Sequence, residues 1–105
     1  MIPVFKPILE KKDVSAAFQT IKRGEISGTF SNSITLLEKN FAKFNKTKYA
    51  VSVSSGTTAL HLAVACLNLP KGSEVIASST TNIATGLAIT HNNLIPKFID
   101  SKIDT

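Results

Sequence analysis

The sequence predicts an α/β fold of three layers, a mostly parallel sheet with flanking helices. Three observations lead there. From Tyr49 to Ile99, short β-rich runs alternate with stretches of helical apolar periodicity. The links between them are short, which implies parallel strands joined by right-handed crossovers. The core candidates are mostly small or β-branched, with six Phe, one Tyr and no Trp in 105 residues, and such residues suit helices packed tightly on a buried parallel sheet.

Taken in order, residues 1–10 read as an extended arm, because Pro3 and Pro7 each fix φ and lack an N–H. A helix is expected over Lys11–Arg23, where Val14, Ala17, Phe18 and Ile21 follow the i, i+3, i+4, i+7 pattern. Gly24 stands where a left-handed cap belongs. After a Ser/Gly/Thr-rich loop, a second helix is expected over Ser33–Phe44, with Ser33 as its N-cap. Tyr49–Ser54 reads as a strand, Thr57–Asn68 as a helix, Glu74–Ser78 as a strand, Thr81–Thr90 as a helix and Leu94–Ile99 as a strand. Pro96 removes one ladder donor, so it belongs near a strand start or where no bond is lost. The chain thus divides into an arm with two helices (residues 1–45) and a βαβαβ unit (residues 49–100). The open edges of such a three-stranded sheet suggest an incomplete domain.

Composition narrows the function. The net charge is +5, but the lysines are dispersed and no aromatics interleave with them as a single-strand nucleic-acid platform requires. The longest apolar segment, Leu60–Leu69, contains His61 and Asn68 and is too short to span a bilayer. These features point away from nucleic acid and membrane, towards a cytoplasmic protein. Cys66 is the single cysteine; its apolar surroundings suggest a buried small hydrophobe. His61 reads as a structural histidine beside a core stripe, and His91 as a helix C-terminal residue. One cysteine and two distant histidines do not make a zinc site.

The strongest chemical signal is Val53–Leu60, where a strand ends, Gly56 turns the chain and a helix opens on Thr57 and Thr58. The first helical turn leaves N–H groups unpaired at the positive end of the dipole. A phosphate placed there takes those donors, with hydroxyls adding more. A plain N-cap fits the same letters. The segment is neither a P-loop nor a dinucleotide-binding fingerprint.

The sequence resembles the DegT/DnrJ/EryC1/StrS family of pyridoxal-phosphate-dependent nucleotide-sugar aminotransferases, of the aspartate-aminotransferase fold type I. The resemblance spans nearly the whole chain. It rests on Ile2–Val4, Gly24–Gly28, Leu37-Glu38 with Phe41-Ala42, Tyr49–Ala63, Gly72–Ile76, Ala84-Thr85 and Ile95–Asp100. By this resemblance the chain is the N-terminal portion of the cofactor-binding large domain, and Ser55, Gly56, Thr57 and Thr58 hold the phosphate of pyridoxal phosphate. Ser27 and Gly28 would lie near the bound nucleotide sugar. Asn82 occupies a position that is often aromatic in the family and stacks on the cofactor ring. Two roles are open to it, ring contact and helix cap. Asp100 and Asp104 read as strand-terminal residues making structural hydrogen bonds.

The resemblance also implies a reaction: an amino group passes, usually from glutamate, to a keto-sugar nucleotide, for cell-surface polysaccharide or antibiotic sugars, in a homodimer. The lysine that links the cofactor and the aspartate that pairs with its ring nitrogen come from downstream segments in the family. No catalytic residue is therefore expected here, and the chain alone is expected to be inert. A sugar dehydratase of the same fold and a non-catalytic phosphate-binding module are the alternatives.

Overall fold

The computed structural model describes residues 2–3, 5–28 and 31–102. Val4, in the expected arm, and Asp104, expected to terminate a strand, lie outside the described residues. The chain forms two compact units, residues 1–52 and 53–105.

In residues 1–52, α1 covers Lys11–Lys22 and α2 covers Asn32–Phe44. α1 opens with the Glu10 N–H donating to Asp13 Oδ2 at 2.8 Å, which satisfies one donor left free by the helix start. It closes on Gly24 at φ +72°, with the Gly24 and Glu25 N–H groups reaching the carbonyls of Ile21 and Thr20 at 2.9 and 3.1 Å. Gly24 is thus the left-handed cap that its position suggests. The α2 cap differs from expectation. The Ser31 hydroxyl accepts the Ser33 N–H at 3.2 Å, so Ser33 supplies the donor and the helix begins at Asn32. No α1 residue is buried, and in α2 only Ala42 is.

Residues 53–105 carry α3 (Gly56–Ala65), β1 (Glu74–Ser78), α4 (Ile83–Thr90) and β2 (Ile95–Ile99). β1 and β2 pair in parallel, from Glu74 opposite Ile95 to Ser78 opposite Ile99. α4 packs against both strands and against α3, burying Ala88 and Ile89 together with Leu94. Gly86 allows close approach there, since a Cβ would meet the Phe98 ζ carbon at 3.3 Å. The Ile95 N–H donates to the Ser73 carbonyl at 2.9 Å. Alternate residues of a parallel ladder face the neighbour, so the Pro96 nitrogen faces away from β1 and no rung is lost.

The α/β class holds, with a parallel sheet and flanking helices, but the sheet has two strands among the described residues rather than three. Tyr49–Ser54 forms no ladder, and a strand is defined by a partner as well as by its residues. The Ser52 N–H is taken instead by a side chain, that of Glu38. α3 ends at Ala65, before the expected Asn68. Leu67 and Asn68 turn back with tighter bonds to Val64 and Ala65, and Asn68 adopts φ +49°. Cys66, the C-cap of α3, is exposed, not buried.

Candidate functional site

The α3 N-terminus is built from hydroxyls. Ser55 Oγ accepts the Thr58 N–H at 3.2 Å and lies 2.9 Å from Thr58 Oγ1, with Ser54 Oγ a further 3.4 Å from the same oxygen. The Ala59 N–H returns to the Ser55 carbonyl at 3.0 Å. This leaves the Gly56 and Thr57 N–H groups without a protein acceptor among the described residues, as the start of a helix requires. Gly56 is not in the left-handed region, so the turn itself does not demand glycine. A Cβ at Gly56 would meet nothing within 4 Å. The space that a Cβ would occupy there is therefore open. The first turn carries no acidic residue. Two free N–H groups, exposed hydroxyls and a positive dipole end make a donor set that can take an oxyanion.

The second candidate element lies where β1 enters α4. Asn82 is the N-cap, its Oδ1 accepting the Ala84 N–H at 3.1 Å. It also lines an open concavity of about 360 Å³ with Ser79, Thr81, Ile83, Gly86 and Phe98. Of the two roles left open for Asn82 the cap is observed, the oxygen being committed to the helix, and the residue also borders the hollow. No hydrogen bond joins Asn82 to the Ser55–Thr58 turn among the described residues.

Asp100, expected to end a strand with structural hydrogen bonds, makes one beside this hollow, whereas its partner Ser79 is not evident from the sequence. The Ser79 hydroxyl donates to Asp100 Oδ1 at 3.0 Å, and Ser78 Oγ lies 3.0 Å from Ser101 Oγ. Thr81 Oγ1 lies 2.8 Å from Thr85 Oγ1. The run of polar residues from Ser78 to Asn82, placed at a strand's carboxyl end, was the available signal.

Ser27 and Gly28 belong to residues 1–52. Gly28 packs tightly, since a Cβ would sit 3.0 Å from Ile34 Cδ1, the end of a flexible side chain that would have to shift. In the same unit the Arg23 guanidinium bonds Glu25 at 2.7 Å and, with help from Ser31 and Ser33, holds the Glu25 carboxyl below its ordinary value against a smaller opposing effect of burial. Glu38 Oε1 accepts both the Ser52 N–H and the Ser52 hydroxyl, at 2.8 and 2.9 Å. The backbone bond is the larger cause of its lowered pKa.

His61 and His91 meet edge to face with ring centroids 5.8 Å apart. Asn92 Nδ2 ties their helices by donating to the His61 and Ala88 carbonyls at 3.1 and 2.7 Å. Among the described residues, no three His, Cys, Asp or Glu side chains cluster as metal ligands, and no helix is long and apolar enough to cross a membrane.

Comparison with known proteins gives consistent matches. A GDP-perosamine synthase of Escherichia coli O157:H7 is 38% identical over 104 residues, covering 99% of this chain and 28% of that protein. The spore coat polysaccharide biosynthesis protein SpsC of Bacillus subtilis is 33% identical over 99 residues, or 94% of this chain and 25% of that one. Among solved structures, an E. coli GDP-4-keto-6-deoxy-D-mannose-3-dehydratase with bound hydrated PLP superimposes with a TM-score of 0.85 at 28% identity. That match covers 98% of this chain and 28% of the dehydratase. The chain thus spans about a quarter of the length of these relatives. The family model for DegT/DnrJ/EryC1/StrS aminotransferases matches residues 7–105, and the chain belongs to that family.

Proposed function

We propose that this chain is the N-terminal portion of the cofactor-binding domain of a pyridoxal-phosphate-dependent sugar aminotransferase. The complete protein would move an amino group from an amino-acid donor, glutamate, to a keto-sugar nucleotide for polysaccharide or antibiotic sugars. It would work in the cytoplasm as a homodimer. The observation that carries this reading is the α3 N-terminus, whose free Gly56 and Thr57 N–H groups stand among exposed hydroxyls.

The residues present fit the cofactor. A phosphate ester needs several converging donors and no nearby carboxylate, which is what Ser55–Thr58 offer. A flat heteroaromatic ring needs a shallow, mainly apolar seat, and Ile83, Gly86 and Phe98 with Asn82 supply one. Pyridoxal phosphate, when bound, supplies an electron sink for the carbon bearing the transferred nitrogen. The chain's own part is to bind and orient. The Gly56 and Thr57 N–H groups fix the phosphate, Ser55 and Thr58 brace the turn, and Asn82 borders the ring's seat. Ser27 and Gly28 are assigned to the nucleotide sugar. No lysine here is assigned to the cofactor, so the 105-residue chain alone is inert.

The test is an NMR titration of the chain with pyridoxal phosphate. The Gly56 and Thr57 amides should shift most, and Gly56→Ala should weaken binding without lowering thermal stability, because its Cβ meets no protein atom. Unmoved amides at saturation, or a cofactor absorbance band that survives gel filtration and vanishes on mutating one lysine, would overturn the reading. The dehydratase alternative rests on the structural match above. Mass spectrometry of the complete protein's product separates the two: a gained amino group against a lost water.

A further inference from the structure

We propose that Asp100 is a positioning residue for the ring seat: through Ser79 it fixes the β1–α4 turn and so sets the fit of a flat ring in the concavity. This rests on the reading above that the concavity takes the cofactor ring.

Ser79, Thr81 and Asn82 all line the concavity, yet none lies in a helix or strand. An irregular stretch can keep a shape only if its ends are held. The α4 end is held by the Asn82 cap and the contact of Thr81 with Thr85. The β1 end is held to the exit of β2. Past the last rung, Ser78 opposite Ile99, the Ser79 N–H donates to the Ile99 carbonyl at 2.8 Å. The Ser79 hydroxyl then reaches Asp100 Oδ1 at 3.0 Å. A hydrogen bond to a carboxylate is among the stronger ones available to a hydroxyl. Phe98, the aromatic wall of the hollow, lies two residues before Asp100, so the end of β2 supplies both wall and latch.

A phosphate held at α3 depends only on its own turn. A ring tethered to that phosphate depends also on the walls that limit its tilt. The latch should therefore affect ring binding and leave phosphate binding alone.

The experiment titrates the full chain calorimetrically with pyridoxamine phosphate, which cannot react with lysine, and separately with inorganic phosphate. The unaltered chain should bind pyridoxamine phosphate more tightly. Asp100→Ala should weaken it by about fivefold, the worth of one hydrogen bond, with phosphate affinity unchanged. Asp100→Asn, which keeps an acceptor, should restore affinity to within about twofold, within the scatter expected for equivalent bonds. Ser79→Ala should reproduce the loss, and the double variant should be no worse than either single one. The inference is overturned if Asp100→Ala changes neither affinity or both equally, if Asp100→Asn fails to rescue, or if the double variant is additive. Should Asp100→Ala not fold, Ser79→Ala without effect overturns it. An unaltered chain that binds both probes equally, or neither, instead sinks the ring-seat reading itself.

Discussion

Residues 1–52 close their helix ends with Asp13, Gly24 and Ser31 yet bury little beyond Ala42, whereas residues 53–105 gather Ala88, Ile89 and Leu94 into a small core around α4. Phe18 in α1 is 61% exposed, and Leu94 ahead of β2 is 5% exposed. Both are large apolar residues, and the local pattern puts Phe18 in its helix but Leu94 one residue too far into the strand. The difference teaches that capping is a local property, written within four residues, while burial depends on what arrives from elsewhere.

Unfolding measurements can sharpen this contrast. Leu94→Ala should cost about 2–5 kcal/mol in chemical denaturation, as removal of a buried leucine does, whereas Phe18→Ala should cost under about 1 kcal/mol, as surface changes do. Equal losses would mean that the α1 stripe is covered in solution and would break the comparison. Gly24→Ala comes next, at about 1 kcal/mol, because a Cβ is disfavoured at φ +72°; α1 helicity by circular dichroism reads it.

The smallest effect concerns acid. The Glu38 carboxyl titrates below its ordinary value because the folded chain donates two hydrogen bonds to its charged form. Its contribution is therefore present above the ordinary carboxylate range and is lost as pH falls through the lowered value. Glu38→Gln should reduce the acid-side loss of stability in melting curves below about pH 4, the ordinary range for a carboxyl. Unchanged curves would show that these bonds do not stabilise residues 1–52.

Much of the fold was legible because its signals are local. The stripe of α1, the Gly24 cap, β1 and the parallel pairing all follow from spacing and turn residues. The missing ladder at Tyr49–Ser54 was not legible, since β propensity does not say which neighbour provides a rung. The α2 start slipped from Ser33 to Ser31 because several hydroxyls in a row can each cap. At the candidate site, the Ser55–Thr58 turn could be read from the strand-to-helix transition. The Ser79–Asp100 bond could not, because twenty-one positions separate its partners and only the register of β1 with β2 brings them together.

Pro96 has one more consequence. Its nitrogen points outward from β2, so the outer row of that strand lacks a donor near its start, while the outer row of β1 has no such gap. A newcomer docking beside β2 would find an interrupted template, and one docking beside β1 would find a continuous one. The sheet is therefore polarised in the direction it can grow: from β1 outward, with β2 as its guarded margin.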